Sequence, residues 1–330
     1  EMSAVDVVDI STAADGLSTP RDLAFNPLVA GQLWIVNRTE SVVVLDDAGE
    51  PTQMAQEYQG FGGDHFLAQP SSLAFGDNGN FATAHETDEK TQPDTPTTFM
   101  GPTLWPSDPN IFNGGHAGHI DMLHNSPLSM GIEWEQGNVY WVFDGLHGSL
   151  TRYDFRADHG PGGTDHTDGI VRRYVEGQVL RQDSIPSHMW FDHATSKLYV
   201  ADTGNHRIAV LDTTTGAKTK TIGPNYDGSS QVLMGGASLT TFVDASQYGN
   251  WWPSGIAKYG EYLFVSDFQS STIYGYDMQG ELVDWLDTGM PVGSLMGIEF
   301  DAQGRLYLVD AIGNRVRRVA PKPEPDPSNG

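Results

Sequence analysis

One unit recurs along this chain, and it limits the possible folds more than any other feature. Its clearest copy runs from Lys197 to Asp212 as KLYVADTGNHRIAVLD. An apolar β-run ends in Asp, a turn follows, Asn-His-Arg comes next, and a second β-run closes the unit. It returns as RLYLVDAIGNRVRRV from Arg305, and in weaker form as YLFVSDFQSSTIYGYD from Tyr262 and VYWVFDGLHGSLTRYD from Val139. A short apolar strand precedes each copy: HMWFD at His188, GIEFD at Gly297, GIAKY at Gly255 and GIEWE at Gly131. The intervening DAQG and EQG stretches are hairpin signals. Two diverged copies, PRDLAFNPLVAGQLWIVNRTESVVVLD from Pro20 and PSSLAFGDNGNFATAHE from Pro70, bring the number to six. The position that is Asp in the good copies reads Asn37, His85, Asp144, Asp202, Asp267 and Asp310.

Each unit accounts for one small sheet, which cannot bury both faces alone; packing such sheets in a ring removes the difficulty. The expected fold is all-β: a six-bladed β-propeller of four-stranded blades, held in one domain over residues 1–320. The 38 glycines and 19 prolines suit its many turns. The last copy ends after its third strand, at Val319, so AVDVVDI from Ala4 is expected to close that blade from the N-terminus and cover the open edge. An insertion over about residues 86–127 is expected on the top face. Residues 321–330, PKPEPDPSNG, read as a Pro-rich linker or a solvated tail.

The segment VADTGNHRI from Val200 resembles the NHL repeat signature, and the resemblance covers roughly residues 4–319. It implies a six-bladed propeller and says little about function. Proteins of this shape include the peptidylglycine α-hydroxyglycine amidating lyase, kinase sensor domains, and protein- or RNA-binding modules. The lyase comparison implies zinc on the axis, held by histidines after a proline at the start of inner strands, and an arginine after the second strand of the first blade. Trp34-Ile35-Val36-Asn37-Arg38 is similar to that arginine segment, which makes Arg38 a candidate catalytic residue. The histidine positions depart from the pattern, reading Arg21, Ser71, Met130, Ser187, Ser254 and Met296.

The chain has its own histidines near the same place. In a propeller, residues just before an inner strand and those ending a second strand share the top face. His85 and His147 follow second strands, while His124 and His188 come just before or at inner strands, in adjacent blades. The stretch GGHAGHIDMLH from Gly114 adds His116 and His119 at the end of a long irregular insertion, a kind of segment that is commonly functional. Converging imidazoles suit zinc, copper, iron or nickel. His85, His116, His119, His124, His147 and His188 are therefore the candidate metal ligands. Taken singly, each is equally at home in a turn, bonded to backbone or carboxylate.

A second cluster is DFRADHGPGGTDHTDG from Asp154. Asp154, Asp158, Asp165 and Asp168 offer oxygen ligands for calcium on flexible backbone, although the spacing is not that of an EF-hand. His159 and His166 in the same loop could instead reach the axial site. Trp251 and Trp252, adjacent at the entry to the fifth blade, are expected to form a stacking platform for a peptide or glycan, with core packing the alternative for at least one of them. No nucleophile elbow, phosphate loop or dinucleotide fingerprint occurs.

Composition narrows the partners. Asp and Glu number 43 against 18 Lys and Arg, a net charge of -25, which disfavours nucleic acid. Cysteine is absent, excluding disulfides and thiolate ligands. No apolar run approaches a membrane span. The expectation is a monomeric protein, secreted or periplasmic after loss of a leader, with a histidine-rich axial metal site and lyase or hydrolase chemistry. The rival reading is a non-catalytic module that binds a small molecule, peptide or glycan.

Overall fold

The computed structural model describes residues 5–59, 65–88, 97–112, 115–244 and 251–321, with the side chains of residues 115, 116 and 321 also left outside the description. After the edge strand β1 (Val5–Ser11), blade 1 is β2 (Pro20–Phe25), β3 (Leu33–Asn37), β4 (Ser41–Asp46) and β5 (Met54–Gln59). Blade 2 is β6 (Pro70–Phe75), β7 (Asn80–His85), β8 (Thr103–Pro106) and β9 (Asp121–Met122). Blade 3 is β10 (Ser129–Gln136), β11 (Val139–Asp144), β12 (Ser149–Asp154) and β13 (Ile170–Tyr174). Blade 4 is β14 (Met189–Asp192), β15 (Lys197–Asp202), β16 (Arg207–Asp212) and β19 (Ser238–Asp244); between the last two runs a hairpin of β17 (Ala217–Thr221) and β18 (Ser230–Gly235). Blade 5 is β20 (Pro253–Tyr259), β21 (Tyr262–Asp267), β22 (Thr272–Asp277) and β23 (Leu282–Asp287). Blade 6 is β24 (Leu295–Phe300), β25 (Leu306–Asp310) and β26 (Arg315–Pro321), completed by β1.

The N-terminal closure follows the expected pairing. β1 runs antiparallel to β26, with Val7 opposite Val319 and Val8 opposite Arg318. One feature departs from six equal blades. The β17–β18 hairpin, though inserted in blade 4, joins blade 3, where β18 pairs in parallel with β13 and makes a six-stranded sheet.

Burial explains why the repeats read as they do. Second strands such as LWIVN, VYWVFD and LYVAD are buried on both faces and so are apolar nearly throughout. Outermost β17 differs: AKTKT is polar and exposed along its whole length. The apolar core is divided into six clusters, one at each blade–blade interface. Trp34, for example, packs between blades 1 and 2, and Trp141 between blades 3 and 4. The inner strands touch closely enough to require glycine. A Cβ on Gly131 would lie 2.1 Å from the Ser187 carbonyl oxygen, and one on Gly255 2.3 Å from that of Met296.

The recurring Asp ties each second strand to its turn and to the chain entering the same blade. Asp202 accepts from Leu180 N at 2.8 Å and Arg207 Nε at 2.7 Å, Asp267 from Trp252 N at 2.7 Å, and Asn37 from Ser18 N at 3.0 Å. These positions are structural, which is why they repeat.

Candidate metal centre

A group of histidines and carboxylates comes together on the outer flank between blades 2 and 3, away from the axis. Asp121 sits on β9, the outermost strand of blade 2. His159 and His166 belong to the loop between β12 and β13, and Asp227 precedes β18. One ligand atom each from Asp121, His159 and His166 lie within 4.8 Å of one another, against roughly 3.4 Å for ligands sharing a tetrahedral zinc ion. A modest contraction closes the set.

Hydrogen bonds orient each ring so that one nitrogen is left over. His166 Nδ1 lies 2.8 Å from Asp121 Oδ1, His159 Nδ1 2.6 Å from the Gly160 carbonyl, and His124 Nδ1 2.5 Å from Asp227 Oδ1. Asp227 also accepts from the His124 backbone N–H at 2.9 Å. A carboxylate or carbonyl on Nδ1 fixes the tautomer with its lone pair on Nε2, the arrangement found behind metal-bound histidines. His124 Nε2, His159 Nε2 and Asp121 Oδ2 are all buried without a hydrogen-bond partner. Leaving such atoms unsatisfied costs about 1–3 kcal/mol each, and two of them, Asp121 Oδ2 and His159 Nε2, belong to the group itself.

Charge in the group is tuned by burial. Burial pushes the Asp121 carboxyl up, opposed by its contact with His166. For His166 burial acts downward, but the hydrogen bond and charge of Asp121 outweigh it and hold the imidazole above its ordinary value. The walls are aromatic. His119 stacks on Phe66 at 3.9 Å and lies 5.1 Å from the His159 ring; His65 and His166 lie 5.8 and 6.4 Å from the His124 ring. Phe99 covers His124 at 4.0 Å.

The other sequence candidates are placed elsewhere. His85 is 1 % exposed, with Nδ1 on the Gly101 carbonyl at 2.9 Å and Nε2 on Thr83 Oγ1 at 3.1 Å; burial pushes its imidazole down to about 4. Both nitrogens are used, so it has no lone pair to give. His147 bonds Asp144 at 2.8 Å in the turn after β11. His188 stands on the axis against Asp22 and Ser71. His124 and His119 therefore belong to the flank group, whereas His85, His147 and His188 have partners of their own. The His116 side chain lies outside the described residues.

Arg38 donates to Glu86 at 2.5 Å and to Gln69 at 2.9 Å, and the same Glu86 oxygen takes two bonds from buried Arg21. Asp154, Asp158 and Asp165 each accept from a backbone N–H two residues on and so cap their own turns, while Asp168 accepts from Ala157 N across the loop. Trp251 is 2 % exposed and packs with Ile256, Val265 and Tyr276 in the interblade core, which leaves no face for stacking. Trp252 is half-buried, with its ring nearly parallel to those of His206 and Phe268.

Asp121, Asp227 and His65 were not singled out in the sequence. Asp121 stands between His119 and His124 in HIDMLH, a local signal; Asp227 is 103 residues from His124 and has none.

No protein-family model matches the chain, and no curated protein matches it in sequence. Solved structures do. An auxiliary nutrient binding protein from Bacteroides thetaiotaomicron superposes with a TM-score of 0.64 at 11 % identity, over 98 % of this chain and 78 % of that one. A streptogramin B lyase gives 0.57 at 11 % identity, over 97 % and 99 %. The calcium-binding protein regucalcin from Agrobacterium tumefaciens gives 0.57 at 12 % identity, over 96 % and 94 %. At such identities the likeness establishes the six-bladed propeller fold alone. No helix among the described residues is long and apolar enough to cross a membrane.

Proposed function

We propose that this protein is a metal-binding propeller that holds one transition-metal ion, of the zinc class, on the flank between blades 2 and 3. Asp121, His159 and His166 would be the ligands, with His124 Nε2 available as a fourth. The observation that carries the reading is the convergence of Asp121, His159 and His166, two of whose donor atoms, Asp121 Oδ2 and His159 Nε2, are buried without partners. A donor set of imidazoles and one carboxylate favours zinc, copper, iron or nickel over calcium, which prefers oxygen throughout.

The chain's own residues account for selectivity and orientation. Asp227 and the Gly160 carbonyl hold two rings in the ligating tautomer, and Phe66 and Phe99 limit water at the group. Three protein ligands would leave a position for a substrate oxygen, which a bound ion would polarise; lyase or hydrolase chemistry follows from that. An extracytoplasmic setting, argued from the acidic, cysteine-free composition, is part of the same proposal.

The test is elemental analysis of untagged protein prepared with metals supplied, beside a His159→Ala/His166→Ala double variant and a His85→Gln control. About one equivalent of transition metal, retained in the control and lost in the double variant, is expected. Absence of metal from the parent protein overturns the reading, as does full retention in the double variant.

A second reading has one observation in its favour. Trp252, His206 and Phe268 form a row of near-parallel rings, a surface suited to a glycan or an aromatic peptide side chain. Trp252→Ala should then abolish binding in a glycan and peptide array while leaving metal content unchanged.

A further inference from the structure

The six inner strands enclose a cavity of about 240 Å³ on the axis, and its chemistry is distinct from that of the flank. Its polar wall consists of Asp22, Glu133, Glu299 and His188, from blades 1, 3, 6 and 4. No lysine or arginine lines it among the described residues. Phe25, Phe75, Trp134 and Phe300, at or near the ends of four inner strands, line the same cavity.

The polar groups on this wall are three carboxyls and one imidazole. Glu133 has a single hydrogen bond, from Phe191 N at 3.3 Å, and Glu299 a single one, from Phe300 N at 2.8 Å. His188 has only 5 % of its side chain exposed. Its Nε2 donates to the Ser71 carbonyl at 3.2 Å. Its Nδ1 lies 3.5 Å from Asp22 Oδ1, a carboxylate that also accepts from Leu23 N at 2.9 Å, Ser72 Oγ at 2.6 Å and Leu73 N at 3.2 Å. Burial and the neighbouring carboxylates push Glu133 well up, and burial pushes Glu299 up to about 7. Among the described residues, no lysine or arginine on the wall neutralises these carboxyls.

We propose that the axial cavity binds a small organic ammonium with an apolar body. An –NH3⁺ group brings three donors and one charge, which match the carboxylates of Asp22, Glu133 and Glu299. The aromatic rings would cover the apolar body and attract the charge through their faces. A bare calcium ion is a poorer match: it needs six to eight oxygen ligands, and the space is several times the roughly 30 Å³ of one water. The cavity shares no residue with the flank group, so the two assignments stand or fall separately.

The probe is 2-phenylethylamine, titrated calorimetrically into the full chain. Its neutral isostere 2-phenylethanol, its N-trimethyl derivative and calcium chloride are titrated in parallel. The primary amine should bind, the alcohol should not, and the trimethyl compound should bind more weakly because it cannot donate. Glu299→Gln and Glu133→Gln should each weaken the amine by about 10-fold to 100-fold, with far-UV circular dichroism confirming the fold. If either variant fails to fold, the amine-to-alcohol ratio on the parent decides. Equal binding of amine and alcohol, no amine binding at millimolar concentration, or calcium binding in place of the amine overturns the proposal. Repeating the titration on the His159→Ala/His166→Ala variant should leave it unchanged, whatever the flank group holds.

Discussion

Acidification should expose His85 as a buried neutral histidine. In the folded protein its imidazole is pushed down to about 4 from an ordinary value of 6.5, because burial penalises the charged form more than the Gly101 and Phe66 carbonyls favour it. Between these values the unfolded chain binds a proton that the folded chain refuses. Stability therefore falls as pH falls, and the contribution is complete above about pH 6.5. At about pH 5 this residue should remove about 2 kcal/mol, rising to about 3 kcal/mol once both states are protonated. Urea unfolding followed by tryptophan fluorescence, at about pH 7 and pH 5, measures the loss. His85→Gln keeps a donor for the Gly101 carbonyl but cannot titrate, so every other group cancels in the comparison. The parent should lose about 2 kcal/mol more than the variant over that interval. Equal losses would mean that the folded protein protonates His85 freely, and the burial argument would be wrong.

Other perturbations separate the remaining assignments. Trp251→Ala should cost about 3–5 kcal/mol in thermal unfolding through the cavity left between blades 4 and 5, and Trp252→Ala much less; a reversal would put the wrong tryptophan in the core. Asp227→Ala removes the acceptor that sets the His124 tautomer and should lower metal affinity about 10-fold to 100-fold in competition with a chromophoric chelator, whereas unchanged affinity would exclude His124 from coordination. Gly131→Ala forces a Cβ against the Ser187 carbonyl and should destabilise by on the order of 1–3 kcal/mol, visible as a lower melting temperature; an unchanged melt would show that blades 3 and 4 have room to part.

The flank group was partly visible in advance. HIDMLH and the DHGPGGTDH loop were both recognisable as chemistry-bearing, and His119, His124, His159 and His166 all come from them. Their meeting place was misjudged as the axis. The second-strand ends and inner-strand starts do share the top face, but β9 is an outermost strand, and the loop after β12 folds against it. The β17–β18 hairpin had no legible signal. Its strand AKTKT is polar and exposed, and a parallel pairing with the neighbouring blade leaves no turn or register mark in the chain.

What the chain determined alone is the blade. Alternation, hairpin turns and the recurring Asp act over a few residues, so they are written contiguously; the ring, the N-terminal closure and the apolar second strands follow from them. Only the tertiary structure decided which loops meet. The His124–Asp227 pair, the His188–Asp22 contact, and the burial of Trp251 beside half-buried Trp252 depend on how blades pack and where long loops return. Such contacts join residues far apart in sequence, and no local preference of either partner specifies the other.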